Sequence, residues 1–376
     1  MNYLQNKKIL IGVTAGAAIY KTLDLIRRLK ENGAQVQVVM TENAKDLISE
    51  KLFSAISGGK AMEHIELQEV DLAVVAPATA NFIGKAANGI ADDFLTTTIL
   101  ASNAPLLVVP AMNEFMLNKP QVQLNIVKLL GVGAHFCGPV FGELACGSQG
   151  YGRMSEVSEI LANIERIFAP NDLKGKKVLV TAGPTRESWD DIRFLSNRSS
   201  GKMGYGMAKE AWLRGAEVTL ITGPTALPKP YDTTVVEVET ADKMFDAVSK
   251  HFPKCDYFVS AAAVSDFEPE KVKGKIKKDD GVFQINLQRT VDILRWCGDY
   301  KSGQTIIGFA LEADNSEERG RAKMIEKKCD FMVANLISNM EFDSGKCIVF
   351  GKNNKMGIAG LKSEMAVKIW DFVSLG

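Results

Sequence analysis

The amino-acid sequence predicts an α/β protein of two doubly wound domains, chiefly because its opening is repeated. The chain reads K-K-I-L-I-G-V-T-A-G from Lys7 and K-K-V-L-V-T-A-G-P-T from Lys176. Each string is an apolar run with β-branched residues, followed by glycine and a helix-like pattern, as is typical of a buried strand, a tight loop and a helix. A second apolar run follows each helix, at 35–40 and 217–222. Two such units about 170 residues apart indicate two domains, each with its ligand at the carboxyl ends of its strands.

Length and composition fit this architecture and disfavour several other classes. With 376 residues, two or three domains are expected. The 45 basic and 45 acidic residues argue against nucleic acid or a membrane surface as the main partner. No signal peptide or long apolar run is apparent, so we expect a cytoplasmic protein. Six scattered cysteines without C-x-x-C, and only three histidines, suggest neither a disulfide framework nor a zinc site.

In the first half of the chain, small and polar residues follow the apolar runs. The loop at 14–21 (T-A-G-A-A-I-Y-K) either cradles a phosphate or is an ordinary strand–helix turn. The strand predicted at 71–76 is followed by P-A-T-A-N, and the strand predicted at 105–109 by P-A-M-N. Because the ends of parallel strands meet at one edge of a sheet, a ligand site is expected there.

A glycine-rich segment at 142–154 (G-E-L-A-C-G-S-Q-G-Y-G-R-M) carries Cys146 in its middle. We expect a loop that moves over the site and carries a thiol, since its four glycines permit movement. A buried structural cysteine is the usual alternative. The segment is too polar and too rich in glycine to be core.

In the second half, N-R-S-S-G-K-M-G at 197–204 precedes a predicted helix at 203–214. Exposed N–H groups, the positive helix end and Lys202 together favour an anion site, although the Walker pattern is absent. A loop merely capped by Ser and Asn is the alternative. Further on, Asp266 follows a strand predicted at 257–263. Lys275 opens K-I-K-K, a run that would ordinarily be a solvated charged face.

The first half resembles the flavin-containing cysteine decarboxylases that form one half of a coenzyme A biosynthetic enzyme. The resemblance lies in H-I-E-L from His64, A-P-A-T-A-N, P-A-M-N and A-C-G-x-x-G-x-G-R-M. It implies a flavodoxin-like domain over residues 1–170 that binds FMN and decarboxylates 4′-phosphopantothenoylcysteine. Flavin oxidation of the thiol would give the carboxylate an electron sink that the amide lacks.

By this resemblance His64 acts near the flavin, Asn113 holds the substrate carboxylate, and Cys146 donates the final proton. A surface or trimer-interface position is the alternative for His64. The implied FMN contacts are Thr14, Ala15, Gly16 and Ala17 in the first loop, with Thr41, Thr79 and Ser102 at neighbouring strand ends. The family usually shows T-G-G-I-A or T-G-S-I-A, whereas this chain has T-A-G-A-A, which leaves the details of the flavin contacts open.

The second half resembles the phosphopantothenate–cysteine ligases in T-A-G-P-T-R-E, N-R-S-S-G-K-M-G, A-A-A-V-S-D-F and K-I-K-K. This implies a Rossmann-like nucleotide-binding domain over residues 171–376, after a polar linker near 170. Such ligases convert 4′-phosphopantothenate to an acyl-nucleotide, with release of pyrophosphate, before cysteine attacks. Bacterial bifunctional members generally use CTP, with Mg²⁺, and ATP stays an alternative.

By the same resemblance Arg193 and Asn197 handle substrate and intermediate, and Lys275 acts in the second half-reaction. Asp266 is also a candidate Mg²⁺ ligand. For Lys323 and Lys327, a charged helix face is the alternative to nucleotide binding. Thr290-Val291 stands where the family usually has Asn-Pro. The implied nucleotide-binding residues are Ser260, Ala261, Ala262, Asp266, Lys275, Thr290, Val291, Asp292, Ile293, Phe309, Lys323 and Lys327.

Together the two resemblances imply a bifunctional enzyme that forms homo-oligomers through trimeric decarboxylase and dimeric ligase contacts. One alternative is a flavoprotein decarboxylase or flavin prenyltransferase whose second half only scaffolds. Another is a pyridine-nucleotide oxidoreductase, against which neither opening carries G-x-G-x-x-G with an acidic residue after the second strand. A non-enzymatic flavin-binding module is disfavoured by Cys146.

Overall fold

The computed structural model describes residues 2–59, 70–144, 147–275, 284–312, 316–336 and 342–375. The chain divides into an N-terminal unit, Asn2–Ala169, and a C-terminal unit that begins at Pro170. Within the described ranges, no helix has the length and apolar character needed to cross a membrane.

The N-terminal unit is a five-stranded parallel sheet with helices on both faces. Its sheet order is β2-β1-β3-β4-β5, that of flavodoxin-like domains, so the predicted fold class is confirmed. The strands are β1 (Lys8–Val13), β2 (Gln35–Met40), β3 (Leu72–Ala78), β4 (Leu106–Pro110), β5 (His135–Phe136) and the hairpin strands β6 (Val140–Glu143) and β7 (Gln149–Arg153). The helices are α1 (Ile19–Glu31), α2 (Glu42–Leu47), α3 (Glu50–Ser57), α4 (Ala80–Ala87), α5 (Phe94–Ala101), α6 (Glu114–Leu117), α7 (Pro120–Gly131) and α8 (Val157–Phe168).

Alternation along β1 builds two cores in this unit. Ile9 and Ile11 face a cluster that includes residues of α1, α3 and α8, whereas Leu10 faces one that includes residues of α4, α5 and α7. All seven residues of β3 are buried, as expected for a central strand of a parallel sheet covered on both faces. The sheet is therefore rigid where its carboxyl edge forms a site.

The C-terminal unit contains an eight-stranded sheet of order β12-β11-β8-β13-β16-β17-β18-β19. The first six strands are parallel and follow the third-second-first-fourth-fifth-sixth order of dinucleotide-binding domains. The strands are β8 (Lys177–Ala182), β9 (Arg186–Ser188), β10 (Phe194–Ser196), β11 (Glu217–Thr222), β12 (Thr234–Glu237), β13 (Tyr257–Ser260), β14 (Phe267–Pro269), β15 (Leu287–Arg289), β16 (Thr305–Glu312), β17 (Phe331–Leu336), β18 (Ser344–Phe350) and β19 (Lys355–Leu361). The helices are α9 (Lys202–Leu213), α10 (Ala241–His251), a 3-10 turn (Phe252–Lys254), α11 (Ile293–Asp299), α12 (Ser316–Glu326) and α13 (Lys362–Ser374).

A buried arginine fixes α9, the helix that begins at the glycine–serine loop. The Arg214 guanidinium is 1% exposed and binds Asp172 at 3.0 Å and Glu210 at 2.8 Å, as well as Asp371 of α13. A buried charge of this kind is tolerated only when it is fully paired. The cluster therefore joins the segment before β8, the end of α9 and the last helix.

Candidate active sites in the two units

The N-terminal unit has a cavity of about 800 Å³ at the carboxyl edge of its sheet, here called the N-terminal cavity. Its walls are the loop after β1, the ends of β3 and β4, and the β6–β7 hairpin. The structure brings five of the predicted residues into its lining: Ala15, Gly16, Ala17, Thr79 and Asn113. A cavity of this size is typical of a small-molecule or cofactor site.

Thr14 is buried and lies between two strand ends. Its Oγ1 donates to Pro77 O at 2.7 Å and accepts from Thr79 N at 3.2 Å. The hydroxyl therefore joins the end of β1 to the end of β3. This arrangement supports the adjoining Ala15–Ala17 loop from behind.

Thr79 and Asn113 both begin helices at the edge of the cavity. Thr79 Oγ1 accepts from Phe82 N at 3.4 Å, and Asn113 Oδ1 accepts from Phe115 N at 2.8 Å. Capping fixes the rotamer of each side chain and leaves the positive end of each helix beside the cavity. The site is accordingly suited to an anionic group.

The segment at 142–154 differs from the loop that we predicted from the sequence. Residues 140–143 and 149–153 pair as an antiparallel hairpin, β6–β7, because its glycines allow close packing. A Cβ built at Gly152 (φ +144°) would lie 2.1 Å from Met112 O, so only glycine fits there. Tyr151 N also donates to Glu114 Oε1 at 3.2 Å. The hairpin is thus anchored to the loop after β4.

Lys21 is a site-lining residue that our sequence reasoning did not single out. Its ammonium is only 8% exposed and donates to Met154 O at 3.1 Å and to Glu156 Oε1 at 3.0 Å. The contacts join α1 to the base of the hairpin. The available signal was a lysine among the buried positions of α1, next to Thr22 and Leu25.

Among the described residues, three predicted residues of this unit do not line the cavity: Thr14, Thr41 and Ser102. Thr41 follows β2 as expected, and its N–H donates to Val13 O at 3.0 Å. The expectation that Ser102 follows a strand is wrong: it ends α5, and its Oγ accepts from Ala104 N at 3.1 Å. The helical pattern before it was not recognised. His64 and Cys146 lie outside the described residues.

The C-terminal unit has a cavity of about 590 Å³, here called the nucleotide cavity after the residues that the sequence predicts to bind a nucleotide. It lies beyond the carboxyl ends of β13 and β16 and between α11 and α12. The predicted nucleotide residues that line it are Ser260, Ala262, Asp266, Thr290, Val291, Asp292, Ile293, Phe309, Lys323 and Lys327. The structure therefore gathers residues from four separate stretches of the sequence into one site.

An acidic and a basic side chain form a pair in the lining of this cavity. Asp292 Oδ1 accepts from Arg295 N at 2.9 Å and so caps α11, while Oδ2 binds Lys327 Nζ at 2.5 Å. Burial alone would lower the pKa of Lys327, but its bonds to Asp292 and Glu326 outweigh burial and raise the pKa. Lys327 is therefore a stable cation beside a carboxylate acceptor.

A smaller cavity of about 160 Å³, here called the glycine-loop cavity, shares Ala262, Phe309 and Ala310 with the nucleotide cavity. It is lined by 199–204, 261–263 and residues of β16 and β17. A Cβ built at Gly204 would lie 2.5 Å from Ala182 Cβ, so glycine lets α9 pack directly on β8. The loop's N–H groups and the helix end then meet at the sheet edge, which favours phosphate.

Two lysines flank the glycine-loop cavity. Lys202 Nζ binds Asp343 Oδ1 at 2.5 Å, and this bond lowers the pKa of Asp343. The pKa of Lys362 is lowered by burial and, secondarily, by the charge of Lys202. The positive charge at this end of the site is thus partly balanced by an exposed carboxylate.

Asn335 is a second residue that sequence reasoning missed. It lies in β17 and lines the glycine-loop cavity, and within the described part of the chain its buried Oδ1 has no hydrogen-bond partner. Buried polar atoms are nearly always paired, so this atom is suited to a ligand contact. The available signal was an asparagine inside the apolar run F-M-V-A-N-L.

Of the other predicted residues Arg193, Asn197, Ala261 and Lys275, only Ala261 lines one of these cavities. Asn197 Nδ2 donates to Ala263 O at 2.9 Å, and Ala261 lines only the glycine-loop cavity. Arg193 lies 3.5 Å from Asp190.

Lys275 is exposed and is the last described residue before 276–283, so the rest of K-I-K-K lies outside the described residues. The backbone N–H of the preceding Gly274 donates to Asp191 Oδ2 at 2.9 Å. This bond links the lysine segment to the turn that carries Arg193.

Asp266 is exposed on the rim of the nucleotide cavity. Among the residues that the structure describes, no group of three or more His, Cys, Asp or Glu side chains could hold a metal ion. A single carboxylate still fits Mg²⁺, which is commonly bound by one or two carboxylates together with substrate phosphates and water.

Comparison with known proteins gives matches along nearly the whole chain. The flavoprotein family matches residues 2–169, and the family described as DNA/pantothenate metabolism flavoprotein C-terminal domain matches 173–375. The coenzyme A biosynthesis bifunctional protein CoaBC of Vibrio vulnificus strain YJ016 is 42% identical over 355 residues, covering 90% of this chain and 88% of its own. That of Bacillus subtilis strain 168 is 43% identical over 350 residues, covering 88% and 86%. A crystal structure of the C-terminal domain of a CoaBC protein aligns with 40% identity and a TM-score of 0.47, over 55% of this chain and 97% of that domain.

Proposed function

Because the chain belongs to the family of bifunctional coenzyme A biosynthesis proteins, we propose that it catalyses two successive reactions. The C-terminal unit joins cysteine to 4′-phosphopantothenate with CTP and Mg²⁺. The N-terminal unit decarboxylates the product, 4′-phosphopantothenoylcysteine, to 4′-phosphopantetheine with FMN. The observation that carries the proposal is one cavity in each unit, at the carboxyl edge of a parallel sheet and lined by residues selected from the sequence alone.

The N-terminal cavity is suited to FMN. Ala15, Gly16 and Ala17 form a wall of small side chains that leaves backbone N–H groups accessible before α1, as phosphate binding requires. Thr41 and Ser102 do not line the cavity, so an FMN contact by either stays a sequence-based prediction. When bound, FMN supplies the two-electron chemistry that makes loss of CO₂ feasible.

The chain's own residues would orient the substrate and exclude water in that reaction. Asn113, held at the start of α6, is proposed to hold the substrate carboxylate, and residues of the hairpin, whose base adjoins the Lys21 contact to Met154, line the cavity. His64 near the flavin and Cys146 as proton donor are proposed from the sequence resemblance. Fixed groups in a shielded cavity contribute by orientation rather than by binding alone.

The ligase reaction must make a carboxylate electrophilic. We propose that the N–H groups of the glycine–serine loop and Lys202 bind the nucleotide phosphates, and that Asn335 Oδ1 accepts from a donor group of the ligand. Mg²⁺, when bound, would neutralise phosphate charge, and Asp266 would help to hold it. Attack by the substrate carboxylate on the nucleotide's α-phosphorus then forms the acyl-nucleotide and releases pyrophosphate. The cysteine amine then attacks the acyl carbon and displaces the nucleoside monophosphate. Asn197 and Lys275 are proposed to bind the acyl-nucleotide intermediate.

We propose CTP as the nucleotide from the resemblance to bacterial bifunctional members, and the Asp292–Lys327 pair supports CTP over UTP. Cytosine presents an amino donor where uracil presents a carbonyl acceptor, and its neighbouring ring atoms are acceptors. A carboxylate beside an ammonium matches that donor and acceptor pattern. UTP would bring a carbonyl against the carboxylate and is expected to be a poor substrate.

The experiment that tests both reactions uses the purified full chain. Its visible spectrum should show a bound flavin, and pyrophosphate release should require 4′-phosphopantothenate and be faster with CTP than with ATP or UTP. A colourless protein, or one that releases no pyrophosphate with any nucleotide, would contradict the proposal.

We also propose that the protein is a homo-oligomer. In the N-terminal unit, Leu124, Val127 and Leu130 form a stripe along α7 and are 61%, 63% and 51% exposed. Phe115 nearby in the sequence is 81% exposed. Such apolar surfaces are typical of interfaces. Sedimentation equilibrium should give a multiple of the 41.0 kDa chain, and a monomer at micromolar concentration would contradict this.

A further inference from the structure

A third cavity of the C-terminal unit lies outside both candidate active sites. It has a volume of about 450 Å³ and lies beyond the carboxyl ends of β11 and β12. It shares no lining residue with the nucleotide cavity or the glycine-loop cavity. Its volume is within the range of small-molecule sites, and the carboxyl ends of parallel strands are where ligands of such sheets bind.

One wall of this cavity carries an ordered chain of hydroxyl groups. Thr225 Oγ1 donates to Tyr205 Oη at 3.2 Å, Tyr205 Oη donates to Thr222 Oγ1 at 3.3 Å, and Thr222 Oγ1 donates to Gly223 O at 2.9 Å. Each hydroxyl also retains acceptor capacity. This wall can therefore hydrogen-bond a polar ligand without leaving a buried group unpaired.

The remaining polar side chains of the cavity are two lysines and two glutamates. Lys229 lies 2.9 Å from Glu237, and Lys243 lies 4.0 Å from Glu239, with all four side chains more than half exposed. Exposed pairs contribute little to stability, so a ligand can replace one partner readily. The formal charges of the four side chains cancel, which disfavours binding of a polyanion such as a nucleoside triphosphate.

We propose that this cavity binds a small zwitterion, a free α-amino acid. Its carboxylate would pair with Lys229 and its ammonium group with Glu237, the closer of the two pairs, while its polar atoms meet the hydroxyl wall. Pro224, Leu227 and Val238 offer apolar surface to a side chain. This binding is separate from the ligation reaction and needs neither nucleotide nor flavin.

The cavity also adjoins the glycine–serine loop through Thr225. Two G-P-T turns, from Gly183 and from Gly223, pack on each other so closely that a Cβ built at Gly223 would lie 1.8 Å from Pro184 O. The Thr225 methyl would lie 2.8 Å and 2.9 Å from Cβ atoms built at Gly183 and Gly201. If the glycine–serine loop binds nucleotide as proposed above, an amino acid that moves Thr225 is expected to change nucleotide affinity, and the nucleotide to change amino-acid affinity by the same factor.

Calorimetry on the full chain, without nucleotide, tests the binding step. The probes are the common L-amino acids, with propionate and ethylamine as analogues that each lack one charge. We expect at least one amino acid to bind, and both analogues to bind about tenfold more weakly or worse. The double variant Lys229→Glu with Glu237→Lys reverses one pair and should lose about tenfold in affinity. The matched control reverses the exposed Lys355–Glu317 pair (2.8 Å apart) in the same unit and should change nothing.

Three results would overturn the proposal: no binding by any amino acid at millimolar concentration, equal binding of a singly charged analogue, or full affinity in the Lys229/Glu237 double variant. The coupling has its own test. Thr225→Ser keeps the hydroxyl but removes the methyl that contacts the two glycines. It should bind the amino acid normally yet lose the change of about fivefold or more in CTP affinity that the amino acid causes in the wild type. Undiminished coupling in Thr225→Ser would exclude this route.

Discussion

Replacing Gly204 with alanine tests whether the close packing of α9 on β8 positions the phosphates of the nucleotide. The new Cβ would lie 2.5 Å from Ala182 Cβ and 3.1 Å from Thr181 O. Carbon atoms in contact need about 3.5–4.0 Å, so the start of α9 must retreat by about 1 Å. Overpacking of this kind costs about 1–3 kcal/mol of folding stability. A displacement of about 1 Å in a positioning element costs about a hundredfold in rate.

The assay is CTP-dependent pyrophosphate release, with decarboxylation by the same preparation as the internal control. We expect Gly204→Ala to lose about a hundredfold in ligase rate while decarboxylation is unchanged. Gly206→Ala is the matched control, because its Cβ would meet Lys362 O at 3.5 Å and Ala366 Cβ at 3.6 Å, ordinary contacts. Alanine there should stabilise α9 by about 0.5–1 kcal/mol. Ligase activity of Gly204→Ala close to that of Gly206→Ala would refute the reasoning.

Three further predictions concern other residues. Lys275→Gln should form the acyl-nucleotide and release pyrophosphate once, but its rate of acyl transfer to cysteine should fall about 30- to 1000-fold. Single-turnover transfer at the wild-type rate would mean that K-I-K-K is only a solvated charged surface. Asp190, whose side chain is fully buried, accepts from Arg193 N at 2.6 Å and lies 3.5 Å from its guanidinium. Asp190→Asn should therefore raise the ligase KM for 4′-phosphopantothenate, with decarboxylation unaffected, and an unchanged KM would contradict this. Burial would raise the pKa of Asp93, but bonds from Thr96 and Lys85 outweigh it and lower the pKa. Asp93 therefore stabilises the fold above its unfolded pKa of about 3.9, and the effect is lost as pH falls through the lower folded value. Asp93→Asn should flatten the acid side of a plot of thermal unfolding midpoint against pH, and an unchanged slope would count against it.

The parallel strands were predictable because their signal is local. The runs at 35–40 and 217–222 coincide with β2 and β11, since each is apolar, rich in β-branched residues and preceded by glycine. The hairpin at 140–153 was not predictable in the same way. Its strands contain three glycines and few β-branched residues, and close approach to Met112 fixes them rather than intrinsic strand preference.

The antiparallel strands β18 and β19 extend the second sheet beyond the predicted unit. Their register, in which Cys347 lies opposite Ile358 and Asn335 opposite Cys347, joins three strands that follow one another in the chain. A local pattern indicates a strand but does not say which edge it joins. The sequence therefore predicts the parallel, doubly wound part of this sheet but not the antiparallel strands β18 and β19 at its edge.

Much of each cavity was predictable because strand ends share one edge of a sheet. Thr79 and Asn113 follow neighbouring strands β3 and β4, and both line the N-terminal cavity. Lys21 and Asn335 were missed because their positions look like ordinary core positions of a helix and a strand. The hydrogen bonds of Lys21 and the unpaired Oδ1 of Asn335 depend on neighbouring elements of the fold, so the sequence alone does not show them.

The most direct test of the central claim follows the carboxyl carbon of cysteine through the full chain. The protein is incubated with 4′-phosphopantothenate, CTP, Mg²⁺ and cysteine labelled in its carboxyl group. If one chain performs both reactions, pyrophosphate appears first, label is then released as CO₂ in equal amount, and 4′-phosphopantetheine accumulates. Release of pyrophosphate with all label retained in 4′-phosphopantothenoylcysteine, or no incorporation of cysteine at all, would contradict it.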